Sequence, residues 1–263
     1  MTPVRSSRKA QGMTGGLDPF SDETLDVLTC RDLTVFQKKK GYRYSLDAYL
    51  LGAFVEEAPG ASVMEIGSGS GVVSILLAAV KGLRMRAVEI QEDLAEMSLR
   101  SVRRNGLQDL VEIVCADIRN VTGPRVEAIV TNPPYRPLHT GRVNPSSQKA
   151  AARHEITLDL DTLMKSCRRL LKPAGRLYIV YPSWRLADLF CAMRAAGIEP
   201  KRLRLAYTAQ DRTSEICLVC GTRGGGRELA VERPLFIFEE QGSYHTEMKA
   251  IFQDLRFPKN PLT

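Results

Sequence analysis

The sequence predicts an α/β fold in which one mostly parallel sheet of seven strands carries helices on both faces, with an added N-terminal segment. Three observations predict it. From residue 61 onward, short apolar runs of strand character alternate with helix-period segments ("SVMEI", "GVVSILLAAV", "RMRAVEI", "QEDLAEMSLRSVRRNG", "LVEIVCAD"), the order that gives parallel strands joined by crossover helices. Glycines and prolines fall between these runs, where turns are needed. With 263 residues and 44% hydrophobic side chains, the chain can bury one substantial core, since cores commonly serve roughly 100–200 residues.

The elements follow in order. Residues 1–20 contain Gly12, Gly15, Gly16 and Pro19 with little apolar periodicity and read as a flexible leader. Residues 21–60 form the added segment: "DLTVFQ" is a strand, and "SLDAYLLGAFVEEA" a helix with Leu46, Tyr49, Leu50 and Phe54 on one side and Ser45 as N-cap. Residues 61–263 form the main domain. There "SVMEIGSGSG" is a strand and glycine turn, "GVVSILLAAV" a helix, "RMRAVEI" the second strand, and "QEDLAEMSLRSVRRNG" a helix stopped by Gly106. "LVEIVCAD" and "VEAIV" are the third and fourth strands. After an insertion, "ITLDLDTLMKSCRRLLKPAG" is a helix stopped by Pro173 and Gly175, "RLYIVYP" a strand, "SWRLADLFCAMRAAG" a helix, and "RLRLAYTA" and "SEICLVCGTR" the last strands.

Composition narrows the function classes. No run of about eighteen apolar residues occurs, and the start lacks a signal-peptide core, so a soluble, cytoplasmic protein without membrane attachment is expected. The six cysteines are scattered through apolar stretches, as suits buried thiols in a reducing compartment. Cys217 and Cys220 have CxxC spacing, but on a strand their side chains point to opposite faces. The three histidines have no ligand spacing, and no metal is expected. Nothing in the sequence calls for an obligate protein partner.

Candidate site residues lie at successive strand ends. "EIGSGSG" places Glu65, Gly67, Gly69 and Gly71 between a strand and a helix, where glycines permit a tight turn and close approach of a ligand; tight packing alone is the other reading. Val72 follows Gly71 where a Walker lysine would stand, which disfavours phosphate capture of that kind. Glu89 ends the second strand, where a carboxylate can accept ribose hydroxyl hydrogens, as in nicotinamide dinucleotide sites also. Asp117, beyond the third strand, can accept from an adenine amino group or cap a turn. The fourth strand leaves through "TNPPYRP", whose prolines make a rigid exit loop or a simple strand terminator. The net charge of +7 suits a polyanionic partner. "FQKKKGYRYS" interleaves Lys38, Lys39, Lys40 and Arg43 with Phe36, Tyr42 and Tyr44, the composition of a nucleic-acid surface or of a solvated charge run beside core aromatics.

Across about residues 31–255 these motifs together resemble the bacterial tRNA1(Val) adenine-37 N6-methyltransferase family of the class I S-adenosylmethionine-dependent methyltransferases. "FQKKKGYRYSLDAYLLGAF" resembles the family's amino-terminal, substrate-side segment, "EIGSGSGVVS" its cofactor loop, "VEI" its ribose region, "CADI" its adenine side, "TNPPY" its catalytic motif, and "NPSSQKAAARHE" its substrate-side insertion. "RPLFIFEEQGSYHTEM" resembles its carboxyl-terminal strand and tail, with His245 interposed between Tyr244 and Thr246.

The resemblance implies a Rossmann-like fold, S-adenosylmethionine as cofactor, and a tRNA partner with valine tRNA first. It implies Asp47, Glu65, Gly67, Gly69, Gly71, Glu89, Asp117 and Asn132 around the cofactor. On the substrate side it implies Lys38, Lys39, Lys40, Tyr42, Arg43, Tyr44, Arg153 and His154. The catalytic set is Asn132, Pro133, Pro134 and Tyr135. An adenine amino nitrogen is a poor nucleophile because its lone pair is delocalised into the ring. The Asn132 side-chain oxygen and the Pro133 carbonyl can each accept one amino hydrogen, freeing the lone pair and stabilising charge in the transition state. Pro134 stiffens the turn and Tyr135 can stack on the base. The same clamp suits a protein glutamine amide or another nucleic-acid adenine, and a noncatalytic RNA-binding module is the reading from a different class.

Overall fold

The computed structural model describes residues 18–41, 43–133, 158–239 and 242–258; most of the expected leader lies outside them. An antiparallel hairpin comes first, β1 (Glu23–Val27) on β2 (Thr34–Lys38), with Glu23 opposite Lys38 and Val27 opposite Thr34. Helix α1 (Asp47–Phe54) follows. The main sheet then alternates with helices: β3 (Ser62–Ile66), α2 (Val72–Lys81), β4 (Arg84–Glu89), α3 (Glu92–Arg104), β5 (Val111–Cys115) and β6 (Val126–Thr131). Beyond residue 157 come α4 (Leu160–Leu170), β7 (Leu171–Pro182), α5 (Leu186–Ala195), β8 (Ile198–Tyr207), β9 (Ile216–Arg223), the two-residue strands β10 (Ala230–Val231) and β11 (Leu235–Phe236), and α6 (Thr246–Asp254).

The strand order is β10-β8-β9-β7-β6-β3-β4-β5, with β11 also paired to β8. Strands β5, β4, β3, β6 and β7 are mutually parallel, and β9 runs antiparallel between β7 and β8. The seven long strands are those the sequence predicts, and the two short ones extend the β8 edge. Because successive residues point to opposite faces, one face of the sheet carries Val63, Ala128, Val130, Tyr178, Val180, Leu218 and Cys220 against α1, α2 and α6. The other carries Met64, Ile129, Leu177, Ile179, Cys217 and Val219 against α4 and α5. Cys217 and Cys220 therefore sit in different cores, as their spacing predicts, and both thiols are free.

Some sequence expectations need correction. Helix α1 begins at Asp47 with Leu46 as its boundary residue; Ser45 Oγ accepts from the Asp47 amide at 3.4 Å without capping the helix. All eight of its residues are buried, because sheet, α2 and α6 surround it, so its apolar pattern marks a core helix rather than one face of an amphipathic one. Helix α4 ends at Leu170, short of Pro173, and Leu171 is already extended. The residue before a proline is disfavoured in helical geometry, so the stop comes before Lys172. Its start is set by Asp159, whose carboxylate accepts from the Thr162 amide at 2.8 Å. Strand β1, "ETLDV", carries too few apolar residues to announce itself, and α6 was not expected at all.

The hairpin is fastened to α3 by Arg100, which is 4% exposed. One guanidinium nitrogen lies 2.7 Å from both Glu23 carboxylate oxygens, Nε bonds Glu96 at 3.0 Å, and the Asp18 carbonyl accepts at 3.2 Å. The guanidinium also lies 4.1 Å from the Phe20 ring and 4.5 Å from that of Phe36. Helix α6 closes on α1 through Met248, Ile251 and Leu255, with Phe252 edge-on to Tyr49 at 5.2 Å. Cys30 Sγ reaches the Gln253 carbonyl at 3.1 Å.

Candidate functional site

The candidate site gathers at the carboxyl edge of the parallel strands, where open α/β sheets hold ligands. The glycine turn connects β3 to α2, with Gly67, Gly69 and Gly71 at φ of 72°, 55° and 83°, a conformation that other residues adopt only with strain. The two outer glycines have different jobs. A Cβ at Gly71 would lie 2.1 Å from Ser98 Oγ of α3, so its lack of a side chain serves packing. A Cβ at Gly67 would meet nothing within 4 Å, so that position leaves the turn open to an incoming group.

The turn hangs from the end of β4. Gly67 and Ser68 amides donate to the Val88 carbonyl at 2.9 and 3.1 Å. Glu89, 4% exposed, accepts from the Gly69 amide at 2.8 Å and from the Gln91 amide at 2.9 Å. One carboxylate thus shapes the turn while standing at the strand end where the sequence puts it. On β3, Glu65 accepts from the Ser74 amide at 2.9 Å and the Ser74 hydroxyl at 2.5 Å at the first turn of α2. Burial pushes its carboxyl up to about 8, against the lowering effect of the Ser74 bonds.

This gives a stability prediction with a definite sign. A folded value near 8 against 4.5 unfolded means that the protonated form contributes fully below pH 4.5, and the contribution is lost as pH rises through about 8. Urea titrations from pH 5 to 9 should show Glu65→Gln gaining on the wild type as pH rises, by on the order of a few kcal/mol. Parallel curves for the two proteins would remove Glu65 as the cause.

The exit of β6 is joined to the same turn. Ile66 of β3 is in register with Thr131 of β6, and Thr131 Oγ1 donates to the Ile66 carbonyl at 2.9 Å. The next residues, Gly67 and Asn132, therefore leave neighbouring strands at the same level. Asn132 is half-buried and Pro133 buried. Pro134, Tyr135, Arg153, His154 and Tyr42 lie outside the described residues.

Asp117, beyond β5, caps a short turn. It accepts from the Arg119 amide at 2.9 Å and pairs with that guanidinium through both oxygens, which holds its carboxyl below the usual range. The structure thus brings out the capping reading of Asp117. Asp47 is buried in the first turn of α1, where the helix dipole favours a carboxylate.

The basic segment is only partly open. Lys38 bonds Asp22 at 2.9 Å and approaches Glu23 at 3.5 Å, and Arg43 bonds Asp26 at 2.5 Å. Two of the cations expected to face phosphate are therefore committed to carboxylates of their own hairpin. Lys39 and Lys40 are exposed, with Lys39 on the Ser21 carbonyl at 2.9 Å. Tyr44 is half-buried, its ring 6.4 Å from Tyr49, and burial first of all raises its phenol to about 12.

Sequence reasoning missed Gln37 and Ser70. Gln37 is 0% exposed and its amide nitrogen donates to Ser70 Oγ in the glycine turn at 2.5 Å and to the Phe36 carbonyl at 3.0 Å. Its oxygen accepts from the Tyr44 amide at 3.1 Å. The one available signal was a glutamine inside an otherwise apolar strand end.

Among the described residues no group of three or more His, Cys, Asp or Glu is arranged to hold a metal ion, and no helix is long and apolar enough to cross a membrane.

Comparison with known proteins agrees with this geometry. Residues 46–187 match the methyltransferase small domain family. The tRNA1(Val) (adenine(37)-N6)-methyltransferase of Phocaeicola vulgatus is 31% identical over 193 residues, covering 67% of this chain and 81% of the relative. That of Bacteroides fragilis is 29% identical over 183 residues, covering 68% and 76%. In fold, the chain is similar to a predicted O-methyltransferase from Agrobacterium tumefaciens, with a TM-score of 0.61 at 17% identity, covering 78% of this chain and 94% of the other. The chain belongs to the methyltransferase small domain family, among the class I S-adenosylmethionine-dependent methyltransferases related to the bacterial tRNA1(Val) adenine-37 N6-methyltransferases.

Proposed function

We propose that the protein transfers a methyl group from S-adenosylmethionine to the N6 amino group of adenine in tRNA, with adenosine 37 of a valine tRNA as the first position to examine. The observation that carries the reading is the junction of β3 and β6, where the Thr131 hydroxyl on the Ile66 carbonyl sets the Asn132-Pro133 exit beside the glycine turn. A methyl donor in the turn and an amino group on the exit would then be neighbours. The relatives from Phocaeicola vulgatus and Bacteroides fragilis direct the choice of substrate.

The residues present fit the cofactor. Gly67 leaves open space on the turn, the buried Ser68 hydroxyl has no hydrogen-bond partner, and Glu89 stands at the adjoining strand end. Glu65, Gly67, Gly69, Gly71 and Glu89 would hold the group, with Asp47 and Asp117 at its margins, and Glu89 would accept from the ribose. When bound, it supplies a methyl carbon made electrophilic by a sulfonium. Asn132 and Pro133 accept the two amino hydrogens, direct the nitrogen lone pair at that carbon, and disperse the positive charge that develops on nitrogen. In this reading Tyr135 would stack on the base and Pro134 would stiffen the turn, the roles the resemblance implies for them. Lys39 and Lys40 face phosphate, while Lys38 and Arg43 would exchange their carboxylate partners to do so, which weakens their net contribution.

Product chemistry tests the reading. The protein and labelled S-adenosylmethionine are incubated separately with unmodified total tRNA, DNA and a glutamine-bearing protein, and each product is digested and identified by mass spectrometry. N6-methyladenosine in tRNA is expected, with mapping to position 37 as the second step. Methylglutamine as the sole product selects the protein-substrate reading, label only in DNA rejects the RNA partner, and no product at all selects the binding module.

A further inference from the structure

We propose that Gln37 is a positioning residue that links the cofactor turn to the basic and aromatic segment, so that occupancy of the turn and binding of RNA reinforce one another. The inference rests on the function proposed above. Its physical ground is one buried side chain whose polar atoms are all used. A glutamine amide has two donor hydrogens and one acceptor oxygen. Here one hydrogen goes to Ser70 Oγ, the other to the Phe36 carbonyl, and the oxygen takes the Tyr44 amide. The two ends of the amide therefore hold two different segments. Ser70 lies between Gly69, whose amide is on Glu89, and Gly71. Tyr44 closes the run that contains Lys38, Lys39, Lys40 and Arg43.

Attachment alone does not need this residue. The hairpin is already fastened through Arg100 and Glu23, and apolar contacts could fill the space around Gln37 without burying an amide. What the amide adds is direction. If the turn shifts Ser70, the amide either follows and pulls the Tyr44 amide with it, or leaves a buried donor or acceptor unsatisfied, which is costly. A ligand that fixes the turn thus favours one arrangement of residues 38–41 and 43–44, and by linkage a ligand that fixes those residues favours the same arrangement of the turn.

Two measurements on wild type, Gln37→Met, Ser70→Ala and Ser70→Thr test this. The first is the affinity for unmodified total tRNA with and without saturating S-adenosylhomocysteine, the demethylated product. Wild type and Ser70→Thr, which keeps the hydroxyl, should show tRNA binding tightened about five-fold or more by the product. In Ser70→Ala and Gln37→Met the ratio should fall close to one. The second is amide hydrogen exchange across residues 38–45 with the product alone. Added protection is expected in wild type and Ser70→Thr and not in the other two. Should Gln37→Met fold poorly, Ser70→Ala removes the same bond from the other end. Equal ratios and equal protection in all four proteins overturn the inference. Exchange coupling without any tRNA affinity retains the link and instead sinks the RNA reading, so the two failures are distinguishable.

Discussion

Asn132→Ala is expected to lower methyl transfer by about 10²–10³-fold, the loss seen when one preorganised hydrogen-bonding group is removed from developing charge. The substitution deletes the acceptor for one amino hydrogen, and the Pro133 carbonyl alone cannot hold the nitrogen with its lone pair on line. Ground-state binding of the product S-adenosylhomocysteine should stay within about two-fold, because Gly67, Gly69 and Glu89 keep their own bonds to Val88 and to one another. Single-turnover rates report the first quantity and isothermal titration the second. A variant that transfers methyl at the wild-type rate would take Asn132 out of catalysis. One that loses product affinity in parallel with rate would make it a binding residue only.

The largest stability effect is expected at Arg100. Its side chain and that of Glu23 are 5% and 1% exposed, and the two are 2.7 Å apart. Removing one partner leaves the other charge in the interior with a single remaining ion-pair partner, Lys38 at 3.5 Å for Glu23 or Glu96 at 3.0 Å for Arg100. The cost should therefore lie at the lower end of the range typical of a broken buried pair, about 3–5 kcal/mol. Arg100→Ala also uncovers the rings of Phe20 and Phe36. The damage should be local: β1 and β2 should lose hydrogen-exchange protection while β3, β4 and β6 keep theirs, since those strands pair only with one another and with β5 and β7. Urea unfolding of Arg100→Ala and Glu23→Gln measures the magnitude. A loss below about 1 kcal/mol in both would place the pair among the weakly contributing surface bridges.

How much of this was legible depended on whether the signal was local. The alternation of β3 through β6 with α2 and α3 is written in apolar period and in glycine stops such as Gly106, at φ 67°, so that part of the sheet could be read directly. The positions of Gly67, Glu89 and Asn132 at strand ends followed from it. What escaped is set by partners distant in sequence. Strand β1 is held by Arg100, 77 residues away from Glu23, and nothing in "ETLDV" reveals that. Lys38 and Arg43 looked like free cations because the carboxylates that engage them, Asp22 and Asp26, only face them once the hairpin forms. The sequence leaves Asp117 open between ligand contact and cap, and only the fold shows its carboxylate on the Arg119 amide and guanidinium.

The closure of α6 over α1 has a consequence in time. Cys30 and Gln253, which touch, are separated by 223 positions. A ribosome adding about 5–20 residues each second needs on the order of ten to forty seconds to cover such a distance. During that interval α1, all of whose residues are buried in the finished fold, has the sheet and α2 as its available cover, while the surface destined for Met248, Ile251 and Phe252 faces water. The face of α1 destined for α6 should therefore be the last part of this core to be covered, and holdase binding to it should fall once α6 has left the ribosome and docked.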